Sequence, residues 1–274
     1  MAITYDLHTH SAYSTDSETP IKEQIESARK HGLSGICLTD HMDYDFPADM
    51  AESQDTPPFI FDDKSYQKEL SCYRSQYPDL WIGTGVECGL QPAAPTLSKI
   101  TKLIENTNWD FIIGSVHLIN GKDPYYPIYW EGKDPVFCVR TYFETMLDCL
   151  TRFSDFDSLG HMDYIVRYAP KEYHYNPLDF QEITDEIMKL LIRRDIALEI
   201  NSSGLFSTSS CENPHIDLLK RYEELGGEMI TIGSDAHIPE RIASGFSVLE
   251  QHIKKTGLRQ YVTYHSRHPV FHDL

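Results

Sequence analysis

Histidines and carboxylates stand two residues apart in two places: Asp6-Leu7-His8-Thr9-His10-Ser11 and Gly233-Ser234-Asp235-Ala236-His237. On a strand, a step of two returns a side chain to the same face, so each pair is spaced to grip one cation. Between them, single histidines or acids close apolar runs. Asp40-His41 follows Ile36-Cys37-Leu38, Glu87 follows Gly83-Thr84-Gly85-Val86, His117 follows Ile112-Ile113-Gly114-Ser115-Val116, and His161 follows Leu159-Gly160. Imidazole and carboxylate donors suit zinc, iron or manganese. The set His8, His10, Asp16, His41, Glu87, His117, His161, Asp235 and His237 exceeds what one ion uses. Two to three divalent ions are therefore expected, with Glu87 as a natural bridging carboxylate.

Taken singly, each residue has an ordinary explanation: a hydrogen-bonded structural histidine, or an aspartate that caps a helix. Their joint occurrence at strand ends is what argues for convergence. The remaining histidines (His31, His174, His215, His252, His265, His268 and His272) fall in helices, loops or the tail and are assigned no chemistry.

Side chains far apart in sequence meet at one place when they sit at the C-terminal ends of parallel strands around a barrel. Apolar runs alternate with amphipathic stretches, the pattern of repeated βα units. Seven strands are expected: Ile3 to His8, Gly35 to Asp40, Trp81 to Glu87, Phe111 to His117, Ser158 to His161, Ala197 to Asn201 and Met229 to Asp235. Thr19-Pro20 and Asn213-Pro214 each predict an N-cap followed by a proline in the first helical turn. Ile21, Ile25 and Ala28 then mark one buried stripe; Leu218, Leu219, Tyr222 and Leu225 mark another, stopped by Gly226-Gly227. Phe180, Ile183, Ile187, Leu190 and Leu191 mark a third. Two long segments, Asp43 to Asp63 and Leu118 to Asp134, directly follow strands, where barrel loops form the catalytic face.

With 274 residues and no linker or repeat, the expectation is one domain, 1–274. No apolar run approaches the ~20 residues that span a bilayer, and no export signal is expected at the start, so the reading is a cytoplasmic protein without membrane contact. The six cysteines form no C-x-x-C pair, which argues against a zinc knuckle and a redox motif and favours reduced thiols, with Cys37 as core filler. Asn201-Ser202-Ser203 matches a glycosylation acceptor only as a string. A formal charge of −18 opposes nucleic acid as a partner. The expected partner is a small molecule, and no oligomeric state follows from the sequence.

The H-x-H opening, Thr39-Asp40-His41, Gly85-Val86-Glu87, Gly114-Ser115-Val116-His117, Gly160-His161 and Ser234-Asp235-Ala236-His237 resemble, in order, the motif set of the polymerase and histidinol phosphatase (PHP) family. The resemblance implies an α/β fold, a distorted seven-stranded (β/α)7 barrel, with a trinuclear metal site. It implies a first metal on His8, His10, Glu87 and Asp235, a second on Glu87, His117 and His161, and a third on Asp16, His41 and His237. Family members often have histidine where this chain has Asp16, so the third site is more anionic here.

Three divalent ions against Asp16, Glu87 and Asp235 leave a net positive pocket that selects a dianion and supplies hydroxide near neutral pH. Phosphomonoester hydrolysis is the leading expectation. For a stand-alone chain with the run Thr39-Asp40-His41-Met42-Asp43, the resemblance implies L-histidinol phosphate as substrate, cleaved to L-histidinol and phosphate in histidine biosynthesis. Arg167, six residues past His161, is expected as a phosphate clamp, ahead of Arg194 and Arg241. Asp43 is expected to meet the substrate's ammonium, with Phe46 and Tyr125 or Tyr126 packing on its imidazole. Alternatives are a family phosphoesterase acting on another small phosphomonoester or a nucleotide, and an amidohydrolase-like metal hydrolase. The amidohydrolase pattern leaves Asp16, His41 and His237 unexplained.

Overall fold

The computed structural model of the chain describes residues 3–47, 59–208 and 210–274. Part of the segment expected as a recognition loop after His41, residues 48–58, lies outside the described residues.

All seven expected strands form and run parallel: β1 (Tyr5–Thr9), β2 (Gly35–Leu38), β4 (Trp81–Gly89), β5 (Phe111–Ser115), β6 (Ser158–Leu159), β7 (Ala197–Asn201) and β8 (Ile230–Gly233), hydrogen-bonded in that order. A two-residue strand, β3 (His41–Met42), continues the line of β2 beside β4, with His41 opposite Glu87. Closure is nearly complete. The His10 N–H donates to Ala236 O at 2.9 Å and the Asp235 N–H to His8 O at 2.7 Å, joining the ends of β1 and β8. The result is a nearly closed seven-stranded parallel barrel.

Helices α1 (Ile21–Lys30), α2 (Asp63–Gln76), α3 (Ala94–Asn106), α4 (Pro135–Arg152), α5 (Gln181–Arg193), α6 (Ile216–Glu224) and α7 (Phe246–Ile253) coat the barrel. Ile21, Ile25 and Ala28 on α1, Leu218, Leu219 and Tyr222 on α6, and Ile187 and Leu191 on α5 are buried as the spacing predicts, while Leu225, Ile183 and Leu190 are half-buried and Phe180 is buried just ahead of α5. Each buried Leu or Ile contributes about 1.5–3 kcal/mol from apolar area removed from water. No described helix is long and apolar enough to cross a membrane.

The helix starts differ from expectation. Pro20, not Thr19, occupies the N-cap of α1, and the Thr19 hydroxyl donates instead to His237 O at 2.8 Å. Asn213-Pro214 precedes α6 as a cis peptide, and His215 caps the helix, its Nδ1 accepting from the Asp217 N–H at 3.2 Å. In both places the polar residue is taken by a contact with another strand end or loop, which outweighs a local cap.

The sequence reading places no strand beyond β8. The tail forms an antiparallel hairpin, β9 (Gln260–His265) and β10 (His268–Asp273). Val262 and Tyr264 of β9 pack with Leu7, Cys37, Phe111, Ile113 and Ala197 as a separate apolar cluster near the strand starts. It plugs the barrel at the end opposite the histidines. Cys37 is filler in this plug, as expected.

Candidate metal centre

Glu87 lies near the C-terminal end of β4, fully buried. Its Oε2 is 3.2 Å from His8 Nε2, 3.6 Å from His10 Nε2 and 2.9 Å from His41 Nδ1. The other oxygen, Oε1, is 2.8 Å from His161 Nε2 and 3.3 Å from His117 Nε2. Five imidazoles thus converge on one carboxylate from four segments, the end of β1 supplying both His8 and His10. Asp235 continues the cluster, its Oδ1 3.3 Å from His10 Nε2, 3.7 Å from His8 Nε2 and 3.7 Å from His237 Nδ1. Asp16 lies at the outer edge, with Oδ2 3.2 Å from His237 Nε2 and 3.6 Å from His41 Nε2. All nine residues singled out as ligands from sequence therefore stand together.

The backbone explains the convergence. The β1–β2 register slips between Asp6 and Thr9, and at that slip Leu7 joins the apolar plug while His8 joins the imidazoles. Gly233 lies against His8: a β-carbon there would stand 2.3 Å from His8 Cβ and 2.7 Å from Glu199 Oε1. Asp235 has φ 56°, the left-handed conformation that aspartate tolerates better than most residues. The loop holding it is pinned by Asp6, which accepts from the Ser234 and Ala243 N–H groups at 2.9 Å each. Burial outweighs these bonds and pushes the Asp6 carboxyl up to about 6.

A surrounding layer of acids and hydroxyls orients the rings. Glu199 on β7 sits 2.5 Å from His8 Nδ1, and its Oε2 accepts from the His161 N–H at 2.6 Å. Asp43 Oδ2 sits 2.7 Å from His117 Nδ1. Ser14 Oγ lies 3.0 Å from His10 Nδ1 and is fixed by Asp40 at 2.7 Å, while Asp40 also takes the Ser11 N–H at 2.6 Å. Asp40 thus shapes the loop and stays out of the cluster.

Sequence reasoning missed Glu199. The signal was present, since a charge inside the apolar run Ala197-Leu198-Glu199-Ile200-Asn201 must find a buried partner. Asp43, expected at the ammonium, is buried, with Oδ2 on His117 and Oδ1 buried without a hydrogen-bond partner.

The donors fit divalent cations. His8 Nε2, His10 Nε2, His41 Nδ1, His237 Nε2 and Glu87 Oε2 are all buried yet lack an aligned hydrogen-bond partner. Two ligands of one tetrahedral zinc, each at about 2.0–2.1 Å, stand about 3.3–3.4 Å apart. The His8–Glu87 and His10–Asp235 separations of 3.2 and 3.3 Å match that spacing. Four overlapping triads gather donor atoms within 4.8 Å: His10-His41-His237, His8-His10-Glu87, His8-His161-Asp235 and His41-Glu87-His117.

Electrostatics agree. Burial opposes charge on His117, but Asp43 and Glu87 raise it to about 10. His10 goes the other way, to about 3, through burial and the neighbouring His237 and His41 rings. Burial works against ionisation of Glu87 and Asp235 too, yet the facing imidazoles, His8 foremost, hold both carboxyls well below the usual range. Sites that draw protons between acid and imidazole are sites where a cation displaces those protons.

Above the cluster opens a cavity of about 540 Å³, walled by Asp43, Asp123, Phe46, Tyr125, Tyr126 and Arg167 among others. Asp123, from the loop after β5, has its carboxyl pushed up by burial. Arg167 lies on a one-turn helix, Tyr164–Tyr168, with Nη1 3.4 Å from Asp235 Oδ2. Arg194 and Arg241 are elsewhere: the first donates to Leu150 O, and the second stacks on Phe206 at 4.4 Å. Asn201 is fully buried, which rules out its use as a glycan acceptor.

A model of the PHP domain matches residues 6–203 of the chain. A protein of Clostridium acetobutylicum described as a probable histidinol-phosphatase is 36% identical over 245 residues, covering 88% of this chain and 89% of the relative. The histidinol-phosphatase of Lactococcus lactis is 33% identical over 264 residues, covering 94% and 93%. The crystal structure of the Lactococcus lactis histidinol phosphate phosphatase, complexed with zinc, L-histidinol and phosphate, superposes with a TM-score of 0.87 at 29% identity, covering 97% of this chain and 98% of that one.

Proposed function

The chain belongs to the PHP family, and from that premise we infer that it is a metal-dependent phosphomonoesterase that hydrolyses L-histidinol phosphate to L-histidinol and phosphate in histidine biosynthesis. The observation that carries the reading is the buried Glu87 carboxylate with five imidazoles turned onto it. Full-length similarity to two histidinol-phosphatases supports the substrate.

His8, His10, Glu87 and Asp235 would hold a first ion, Glu87, His117 and His161 a second, and Asp16, His41 and His237 a third, with zinc, manganese or iron as the species these donors suit. Such ions supply an acidified water for attack on phosphorus and positive charge against the phosphoryl oxygens.

The chain's own residues do the rest. Glu199 and Asp43 hold His8 and His117 in single ring orientations, so the ligands need no reorganisation on binding. Arg167 points its guanidinium at the edge of the cluster, where its fork meets the substrate's phosphoryl oxygens. Elsewhere in the cavity wall, Phe46, Tyr125 and Tyr126 offer faces to the imidazole, and Asp43 and Asp123 receive the ammonium.

On this reading residues 1–274 act as one domain, since the hairpin completes the barrel rather than forming a second unit. The free thiols of Cys37, Cys72, Cys88, Cys138 and Cys149 suit the reducing cytoplasm.

The test is phosphate release from zinc- or manganese-loaded protein offered histidinol phosphate, nucleoside monophosphates, phosphotyrosine and a carboxylic ester. A kcat/KM for histidinol phosphate about a hundredfold or more above the others is expected. Equal or greater turnover of another substrate overturns the assignment.

A further inference from the structure

Arg167 is held by more than charge. Its Nε donates to Asn213 Oδ1 at 2.8 Å and its Nη2 to Asn201 Oδ1 at 3.2 Å. Both asparagines are fully buried. An asparagine amide can face either way unless a partner decides, and here each faces a carboxylate that decides it. Asn213 Nδ2 donates to Asp163 Oδ1 at 2.7 Å, while Asp163 Oδ2 takes the His215 N–H at 3.0 Å. Asn201 Nδ2 reaches Glu199 Oε2 at 3.3 Å, and its Oδ1 also takes the Ser203 N–H at 3.0 Å. With the NH2 of each amide committed to an acid, only the carbonyl oxygens remain for the guanidinium. The two side chains are further locked together by paired backbone bonds, Asn201 N to Asn213 O at 2.7 Å and Asn213 N to Asn201 O at 3.0 Å.

We propose that Asn201 and Asn213 are positioning residues that aim the Arg167 guanidinium at the substrate phosphate. Of five guanidinium N–H groups, the asparagines take Nε–H and one on Nη2. That leaves Nη1 and the second Nη2 hydrogen on the cavity side. Nη1 rests 3.4 Å from Asp235 Oδ2, a long contact that a phosphoryl oxygen can replace. The neutral carbonyls fix the fork without neutralising it, which a carboxylate in the same place would do. Through Asn201 the arrangement also ends on Glu199, the carboxylate that orients His8 and supports His161. On β7, Glu199 and Asn201 thereby join the support of His8 and His161 to that of the clamp.

The proposal rests on Arg167 being the phosphate clamp, and the experiment separates the two. Asn201→Ala, Asn213→Ala, Arg167→Ala and the two doubles with Arg167→Ala are prepared as metal-loaded full-length protein. Metal content, melting temperature, KM, kcat and inhibition by inorganic phosphate are measured for each. Each asparagine variant is expected to weaken phosphate inhibition and raise KM roughly tenfold at unchanged metal content, and to add nothing in the Arg167→Ala background. A merely structural role would multiply with Arg167→Ala in the double variants, whatever the change in melting temperature. Should Asn213→Ala not fold, because it strips a donor from buried Asp163, Asn201→Ala gives the same readout. Wild-type phosphate inhibition in the asparagine variants while Arg167→Ala loses it overturns the positioning role alone. Wild-type inhibition in Arg167→Ala overturns the clamp and the positioning role together.

Discussion

The two ends of the barrel bury opposite chemistry on the same strands. At the mouth, ring nitrogens of His8, His10, His41 and His237 are sealed from water without aligned partners. At the base, Leu7, Cys37, Phe111, Ile113 and Ala197 close against Val262 and Tyr264, and the buried Tyr264 phenol donates to Asp157 O at 3.1 Å. A polar atom buried without a partner costs stability, and an apolar cluster supplies it. The mouth is therefore a place where the chain forgoes stability so that cations find ligands already in position, and the base is where that loss is offset.

This contrast can be broken by substitution. The largest effect is expected from Glu87→Ala, which removes the carboxylate common to five imidazoles. Phosphate release should fall by about a thousandfold or more together with bound metal, read by the phosphate assay and by metal analysis. Wild-type turnover and metal content in the variant would show that Glu87 is dispensable at the mouth.

Next comes Asp43→Asn, which alters the hydrogen bond to His117 and should cost roughly 10–100-fold in metal affinity or turnover. Turnover of neutral phosphomonoesters separates two roles. A loss on every substrate marks orientation of His117, and a loss confined to histidinol phosphate marks contact with the ammonium.

Tyr264→Ala at the base should cost about 3–5 kcal/mol of stability with KM and metal content unchanged. Thermal or denaturant unfolding checks the first, kinetics the second. A shifted KM would mean the two ends are coupled.

The smallest effect concerns Asp157, which bonds the Ile112 N–H at 2.8 Å and Arg267 Nε at 3.0 Å beside the plug. Burial raises its carboxyl to about 6, against the opposing pull of Arg267. The folded protein therefore holds the Asp157 proton more tightly than the unfolded chain. The stability this contributes is full below about 3.8 and is lost as pH rises through about 6. In Asp157→Asn, the melting temperature between pH 5 and pH 7 should vary less steeply than in wild type. Identical slopes would show that Asp157 does not titrate in this range.

How much of this was legible in the sequence differs between the ends for physical reasons. The mouth is written in rare residue types at strand ends, so His8, His10, His41, Glu87, His117, His161, Asp235 and His237 were readable from spacing, and the seven strands from the runs they close. The base is written in ordinary apolar residues: nothing in Gln260–His265 says that Val262 and Tyr264 face Leu7, more than 250 residues earlier in the chain. Glu199 was missed for a related reason. Its partner His8 lies 191 residues away, so its buried charge signalled only that some partner existed. Thr19 and Asn213 were read as local caps, because the loops and strand that claim their side chains are distant in sequence.

The hairpin has a further consequence, for synthesis on the ribosome. Strand β1 is made more than two hundred residues before its neighbour β8 and the stopper formed by β9, so neither flank of the barrel is sealed until those later segments have emerged. The nascent chain thus carries unsatisfied strand edges for most of its translation, when chaperone capture and competing aggregation act on it. Residues 230–273 end that interval, and point changes in the hairpin should surface first as reduced yield of soluble protein rather than as altered catalysis.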